Sequence, residues 1–322
     1  MDHISPRMSS AVSQIRFIGL VCILLHHSFC VYQGWPPNLN ITLGLPQSFL
    51  LISTICKCFG LVAFCFISGI LVYYSLNGIK ENMSSYESWR IFVIKKFRRL
   101  IVPATIWGGV FAIFFGNYAI DIFPHFINGT HLWFLPMLFL LMLAVSPMMF
   151  NKYLAIVPVA IFCWFYLHSY SRTTSEFVTY FPAFISGYFF SALMCKNSRC
   201  KLILAGLLIV IGIIAYCKIN FGYALYLSSV IASVLLLQIL APKTSGFFNY
   251  RPVKFAIKHS FTIYILHQFV IILLSLLEIS FLAVASVPSI LIYFAISFVV
   301  SMAIAQLFSI LSVRYRIVQY LF

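Results

Sequence analysis

The stretch "FGLVAFCFISGILVYYSL", residues 59–76, carries no charge, and runs of this kind recur along most of the chain. An uncharged apolar run of roughly twenty residues is what a helix needs to cross the ~30 Å hydrocarbon layer of a bilayer. In hydrocarbon every backbone N–H and C=O must find a partner within the protein, so a spanning segment is a helix or a strand of a closed barrel. Runs this long read as spanning helices. Only 8% of the 322 residues are charged, against about a quarter in soluble domains. The expected fold is therefore all-α and polytopic, one transmembrane domain over 1–322 with no appended soluble domain.

Ten spans are read at about 12–32, 56–76, 100–118, 132–150, 153–170, 177–195, 201–217, 221–241, 260–277 and 287–312. An even count puts both termini on one side, and the cations choose the side. Of the 21 Lys and Arg, seventeen fall on the face of the N-terminus, three (Lys57, Arg172 and Lys218) fall on the other, and Arg16 lies within a span. Basic residues collect in cytoplasmic loops, so both termini are expected in the cytoplasm. The same reading accounts for the net charge of +15, which has no soluble domain on which to meet nucleic acid. The nine cysteines lie mostly inside apolar runs, without a C-x-x-C pair, and read as small core residues with no metal site. "NGIKENMSSYESWRIFVIKKFRRLIVP" forms a basic amphipathic stretch before Pro103, suited to the interface and to anionic groups.

Against this background the polar residues inside spans stand out, since an ionisable group in lipid is by default a functional-site candidate. In "IRFIGLVCILLHHSF", Arg16 and His27 are eleven residues apart, about 16 Å along a helix and close to three turns, so they share one face. His26 is an extra neighbour. In "HSFTIYILHQFV", Ser260, Tyr264 and His267 follow one another at i, i+4 and i+7, which stacks a hydroxyl, a phenol and an imidazole on one stripe. "THLWFLPMLFLL" opens a span with His131 and Trp133 at the outer boundary, where Trp is usually an interfacial belt residue. The Gly69 and Gly187 stretches read as sites of close helix packing.

Taken in chain order, these stretches resemble the bacterial membrane acyltransferase family 3, the ten-span O-acyltransferases that modify surface polysaccharides. The family's Arg, ten residues and His fall on Arg16 and His27, and its "FFxSG" resembles Phe64 to Gly69. "RxLxxP" resembles "FRRLIVP", where either Arg98 or Arg99 takes the arginine role. "HLWFL" stands at His131 to Leu135, "FxxGY" at Phe184 to Tyr188, and "SxxIYxxH" at Ser260, Ile263, Tyr264 and His267.

The resemblance implies a donor, acetyl-CoA or another acyl-CoA from the cytoplasm, and an acceptor hydroxyl on a surface glycan or its lipid-linked precursor. It also implies residence in the bacterial cytoplasmic membrane. Acyl transfer needs a base at the hydroxyl, stabilisation of an oxyanion, and anchoring for the donor phosphates. His27 is the expected base, or a transient nucleophile. Arg16, Arg98, Arg99, Lys95 and Lys96 are expected at the CoA phosphates. Tyr264, Ser260 and His267 would donate to the oxyanion or orient His27, and His131, Trp133 and His26 would meet the sugar. The rival reading is a carrier or flippase for a lipid-linked sugar or small anion, which intramembrane Arg and His suit equally; the absence of inverted repeats disfavours it. A polysaccharide polymerase ranks last, because the outer loops are short and nearly free of charge.

Overall fold

The computed structural model describes residues 6–34, 44–79, 85–115, 131–168, 172–194, 221–240, 247–277 and 279–314. Within them the chain is helical, with no strand. The α-helices are α1 (Pro6–Cys30), α2 (Gln47–Ile79), α3 (Ser85–Phe115), α4 (Phe134–Val145), α5 (Ile156–Leu167), α6 (Arg172–Met194), α7 (Phe221–Leu240), α8 (Arg251–Lys258), α9 (Ser260–Ser275) and α10 (Val287–Arg314). The span expected at 201–217 lies outside the described residues. By length and hydropathy, four of the described segments are able to cross a membrane: Met8–Gln33, Gln47–Leu76, His131–Met149 and Val287–Ser312. Arg251–Lys258 and Ser260–Ser275 pass the same test as a pair bent by 87°. Exposed Leu291, Val299, Leu307 and Ile310 along α10, and Val159, Trp164 and Leu167 on α5, present the apolar surface that lipid requires.

Local chemistry sets the helix ends. Pro6 opens α1 at a position where a missing N–H is harmless. A 3-10 turn, Val31–Gln33, then closes on Gly34 at φ 79°, the left-handed conformation that glycine adopts without strain. Asn151 caps the next turn by accepting from the Tyr153 N–H at 3.0 Å. Two helices run further than the sequence suggests. α2 begins at Gln47, and α3 begins at Ser85 and continues through Pro103, so the basic stretch is the first half of the same helix that enters the expected span.

The described residues divide into two compact units, named only by their order in the sequence: a central one within residues 65–194, and a flanking one that takes in 6–64 and 221–314. In the central unit α4 packs on α3, α5 and α6. The Trp89 indole donates to Ser146 Oγ at 2.9 Å, and the Ser146 hydroxyl donates onward to the Leu143 carbonyl at 2.8 Å. Gly69 of α2 and Gly187 of α6 bring two backbones together: a Cβ at position 69 would land on the Phe184 carbonyl oxygen, and one at 187 on that of Phe66.

In the flanking unit α1 packs on α7, α8, α9 and α10, and α9 lies along α10. α1 meets α2 at Gly19 and Gly60, where an added Cβ on Gly60 would stand 2.7 Å from Ile23 Cγ1. Phe29, Val31, Tyr32, Ile271, Leu274, Leu282, Ile290 and Tyr293 form its core at one end, with the Tyr32 hydroxyl donating to the Leu282 carbonyl at 2.9 Å.

Gly69→Ala and Gly187→Ala are each expected to destabilise the protein by at least the ~1–3 kcal/mol usual for overpacking, because the obstructing atoms are backbone. The measurement is thermal unfolding in detergent. Either variant melting with the wild type would mean that the two helices separate freely.

Candidate functional site

Six of the residues singled out in the sequence, Arg16, His26, His27, Ser260, Tyr264 and His267, fall in the flanking unit. The other six, Lys95, Lys96, Arg98, Arg99, His131 and Trp133, fall in the central unit.

In the flanking unit, Arg16, Leu20, Ile23 and His27 recur along one stripe of α1, and Ser260, Tyr264, His267, Ile271 and Leu274 along one stripe of α9. Leu20, Ile23, Ile271 and Leu274 are buried, so both stripes face the interior. Where the two helices pack, His27 Nδ1 stands 2.6 Å from His267 Nε2, with the rings nearly parallel at 16° and 4.9 Å between centroids. His267 is fully buried, and its Nδ1 lies 2.6 Å from the Tyr264 carbonyl oxygen and 3.3 Å from that of Ile263.

These distances fix the protons. A carbonyl oxygen only accepts, so His267 Nδ1 carries the hydrogen, and neutral His267 presents a lone pair at Nε2. His27 Nδ1 must then be the donor to it. Neutral His27 consequently carries its own lone pair at Nε2. With a proton there, the imidazolium still donates from Nδ1 to His267, which in turn is held by a carbonyl. Neutral His267 thus has its Nδ1–H committed to a carbonyl and its Nε2 lone pair committed to His27.

The adjacent His26 turns elsewhere. Its Nδ1 is 2.9 Å from Ser53 Oγ on α2, its Nε2 is 3.4 Å from Cys30 Sγ, and Gln33 Nε2 donates to the same Ser53 hydroxyl at 3.4 Å. His26 therefore ties α1 to α2 while His27 ties α1 to α9. Arg16 donates from Nη2 to the Ile257 carbonyl at 3.2 Å, in the last turn of α8. A cation at a helix C-terminus complements the helix dipole. Arg16 thus secures the corner at which α8 turns by 87° into α9. The Tyr264 ring lies between His267, at 5.8 Å, and Phe64 of α2, at 6.5 Å. Ser260, at the first turn of α9, is buried.

Sequence reasoning passed over Gln268. Its side chain is fully buried, and neither Oε1 nor Nε2 has a hydrogen-bond partner among the described residues. An unmade hydrogen bond on a buried amide costs about 1–3 kcal/mol. The signal was available as a polar residue inside an apolar run, next to His267.

In the central unit, Lys95, Arg98 and Arg99 are exposed on α3 before Leu100, a cationic surface that matches the amphipathic stretch expected there. Lys96 is half-buried with its ammonium 5.4 Å from the centre of the Phe92 ring. Burial, and then the Arg99 cation beside it, push the Lys96 ammonium down to about 8. His131 and Trp133 are buried among aromatic rings, not set on a lipid-facing belt: His131 meets Phe111 edge-on at 5.3 Å, and Trp133 lies 6.1 Å from Tyr180. Among the described residues no group of three His, Cys, Asp or Glu is placed to hold a metal ion.

The proton assignment is open to direct observation. Solid-state ¹⁵N spectra of histidine-labelled protein at neutral pH should show His27 and His267 both protonated at Nδ1 and bare at Nε2. A His27 signal protonated at Nε2 alone would break the donor chain described above.

Residues 10–306 match the family model described as an acyltransferase domain. Comparison with curated proteins and with solved structures returned no match. The matched stretch includes both histidine stripes, the basic half of α3 and the glycine contact between α2 and α6. With its several apolar spanning helices, the chain is a multi-pass membrane protein that belongs to acyltransferase family 3.

Proposed function

We infer that this acyltransferase is an O-acyltransferase of the bacterial cytoplasmic membrane, acting as one ten-span domain with both termini in the cytoplasm. It moves an acetyl or other short acyl group from cytoplasmic acyl-CoA to a sugar hydroxyl on a cell-surface polysaccharide or its lipid-linked precursor. The observation that carries this reading is the hydrogen-bonded series Tyr264 carbonyl, His267, His27, which leaves a lone pair at Nε2 of an imidazole within the membrane.

In the reaction, His27 Nε2 takes the proton of the acceptor hydroxyl as that oxygen bonds to the thioester carbon. The carbonyl π pair moves onto oxygen. On collapse the C–S bond breaks, and His27 returns its proton to the departing thiolate. His267 holds His27 in the required tautomer and spreads its positive charge toward the Tyr264 carbonyl. A low-dielectric setting strengthens both effects. The exposed cations of α3, with Lys96, are suited to the donor's phosphates, and Arg98 and Arg99 offer paired N–H donors for them. Tyr264 and Ser260 supply hydroxyls on the His267 stripe. His26, His131 and Trp133 supply the polar edges and aromatic faces that a sugar needs.

Purified protein in lipid nanodiscs, given labelled acetyl-CoA and crude surface glycan, should release CoA and label the glycan. His27→Ala should lower turnover by about 10²–10⁴-fold, the range for a general base. Near wild-type transfer by that variant would refute the assignment, and sugar movement that consumes no acyl-CoA would favour a carrier.

The Lys96 ammonium gives a pH signature. Its charge is present below about 8 and lost as pH rises through that value. KM for the donor should therefore rise between pH 7 and pH 9. Lys96→Arg, which keeps its charge, should flatten that rise. An unchanged pH profile in the variant would remove Lys96 from the donor site.

A further inference from the structure

Gln268 holds the least explained polar group in the flanking unit. The side chain is fully buried, and among the described residues neither its amide oxygen nor its amide nitrogen has a partner. Buried amides in folded proteins are bonded almost without exception, and those that are not call for a ligand, a water or a functional role. A methionine or leucine would fill the same space in a membrane helix at no such cost.

Its position narrows what completes it. Gln268 follows His267 directly, 1.5 Å further along the axis of a regular helix. It also lies one helical turn beyond Tyr264, on the side of α9 where the Tyr264 ring approaches Phe64. The amide is thus at the level of the His27–His267 pair without belonging to it. That pair needs a complement. His267 commits Nδ1 to a carbonyl and Nε2 to His27, so it offers no N–H to a developing negative charge. A primary amide offers two.

We propose that Gln268 is a catalytic residue, the donor that holds the carbonyl oxygen of the acyl group. The inference rests on the acyl-transfer reading above. As the acceptor oxygen bonds to the carbonyl carbon and its proton passes to His27 Nε2, the π pair moves onto the carbonyl oxygen, where Gln268 Nε2–H donates to it. Collapse returns that pair to the C=O bond, breaks the C–S bond, and sends the His27 proton out with the thiolate. Gln268 Oε1 meanwhile accepts an N–H or O–H of the bound substrate. An amide held in place and dry before substrate arrives needs no reorganisation when the charge appears, which is what makes such donors effective.

The test uses the full-length protein in nanodiscs and Gln268→Met, which keeps the length of the side chain and removes both polar atoms; Gln268→Leu serves as a second apolar variant. Removing unpartnered atoms should leave the melting temperature equal to or above that of the wild type. Turnover of acetyl-CoA should nevertheless fall by about 10²–10³ in kcat, the loss seen when one oxyanion donor is removed, with KM changed by less than about tenfold. In a His27→Ala background, chosen to slow turnover of bound donor, the carbonyl stretch of ¹³C-labelled acetyl-CoA should shift to higher frequency when Gln268 becomes Met.

A kcat within a few-fold of wild type, or an unmoved carbonyl band, overturns the proposal. So does a melting temperature several degrees lower in both variants, since the amide would then have a partner within the fold. Wild-type protein that releases no CoA counts against the acyl-transfer reading itself, and the melting measurement still decides whether the Gln268 amide is bonded internally.

Discussion

Hydrocarbon supplies no hydrogen bonds, so every polar group that enters it must bring its partner along. For the backbone this leaves helices, and the described residues are helical from Pro6 to Arg314. For several side chains among the described residues it leaves short relays that end on a carbonyl, with the Gln268 amide a marked exception. Trp89 reaches the Leu143 carbonyl through Ser146, Arg16 reaches that of Ile257, and His27 reaches that of Tyr264 through His267. The last relay has a chemical by-product. Satisfying the buried His267 fixes its tautomer, which fixes that of His27, which sets a basic nitrogen at the end of the line. The lone pair on His27 Nε2, on which the proposed base role rests, is therefore a consequence of the same accounting of donors and acceptors that makes the fold.

That accounting also separates neighbours that look alike. His26 and His27 are adjacent, yet a residue step of about 100° around a helix sends one toward Ser53 and Cys30 and the other toward His267. Arg16 and the α3 cations differ in the same way. Arg16 is half-buried and donates to the end of α8, whereas Lys95, Arg98 and Arg99 are exposed.

Much of the helical layout was legible because long apolar runs leave little choice. The segments expected at 132–150, 221–241 and 287–312 agree closely with α4 and its flanking turns, with α7 and with α10. Helix ends were less legible: hydropathy marks where lipid stops, while the backbone hydrogen bonds of α2 and α3 carry on through Gln47 and Ser85. The bend between α8 and α9 left no periodic trace. The Arg16–His27 and Tyr264–His267 spacings identified shared faces, but the partner of each imidazole depends on how two helices pack. The burial of His131 and Trp133 depends on aromatic neighbours distant in sequence. Gln268 showed in the sequence only as a polar residue inside an apolar run, and nothing there separates a polar residue with a partner from one without.

The glycine contact between α2 and α6 bears on how such a chain is free to drift. In most cores an enlarged side chain is accommodated by shrinking its neighbour, and paired changes of this kind let sequences diverge while volume is conserved. At Gly69 and Gly187 the neighbour of each missing Cβ is the carbonyl of Phe184 or Phe66, an atom that every amino acid shares. No second-site change can make it smaller. A selection for suppressors of alanine at either position would return true revertants or repositioned helices, and never a compensating residue across the contact.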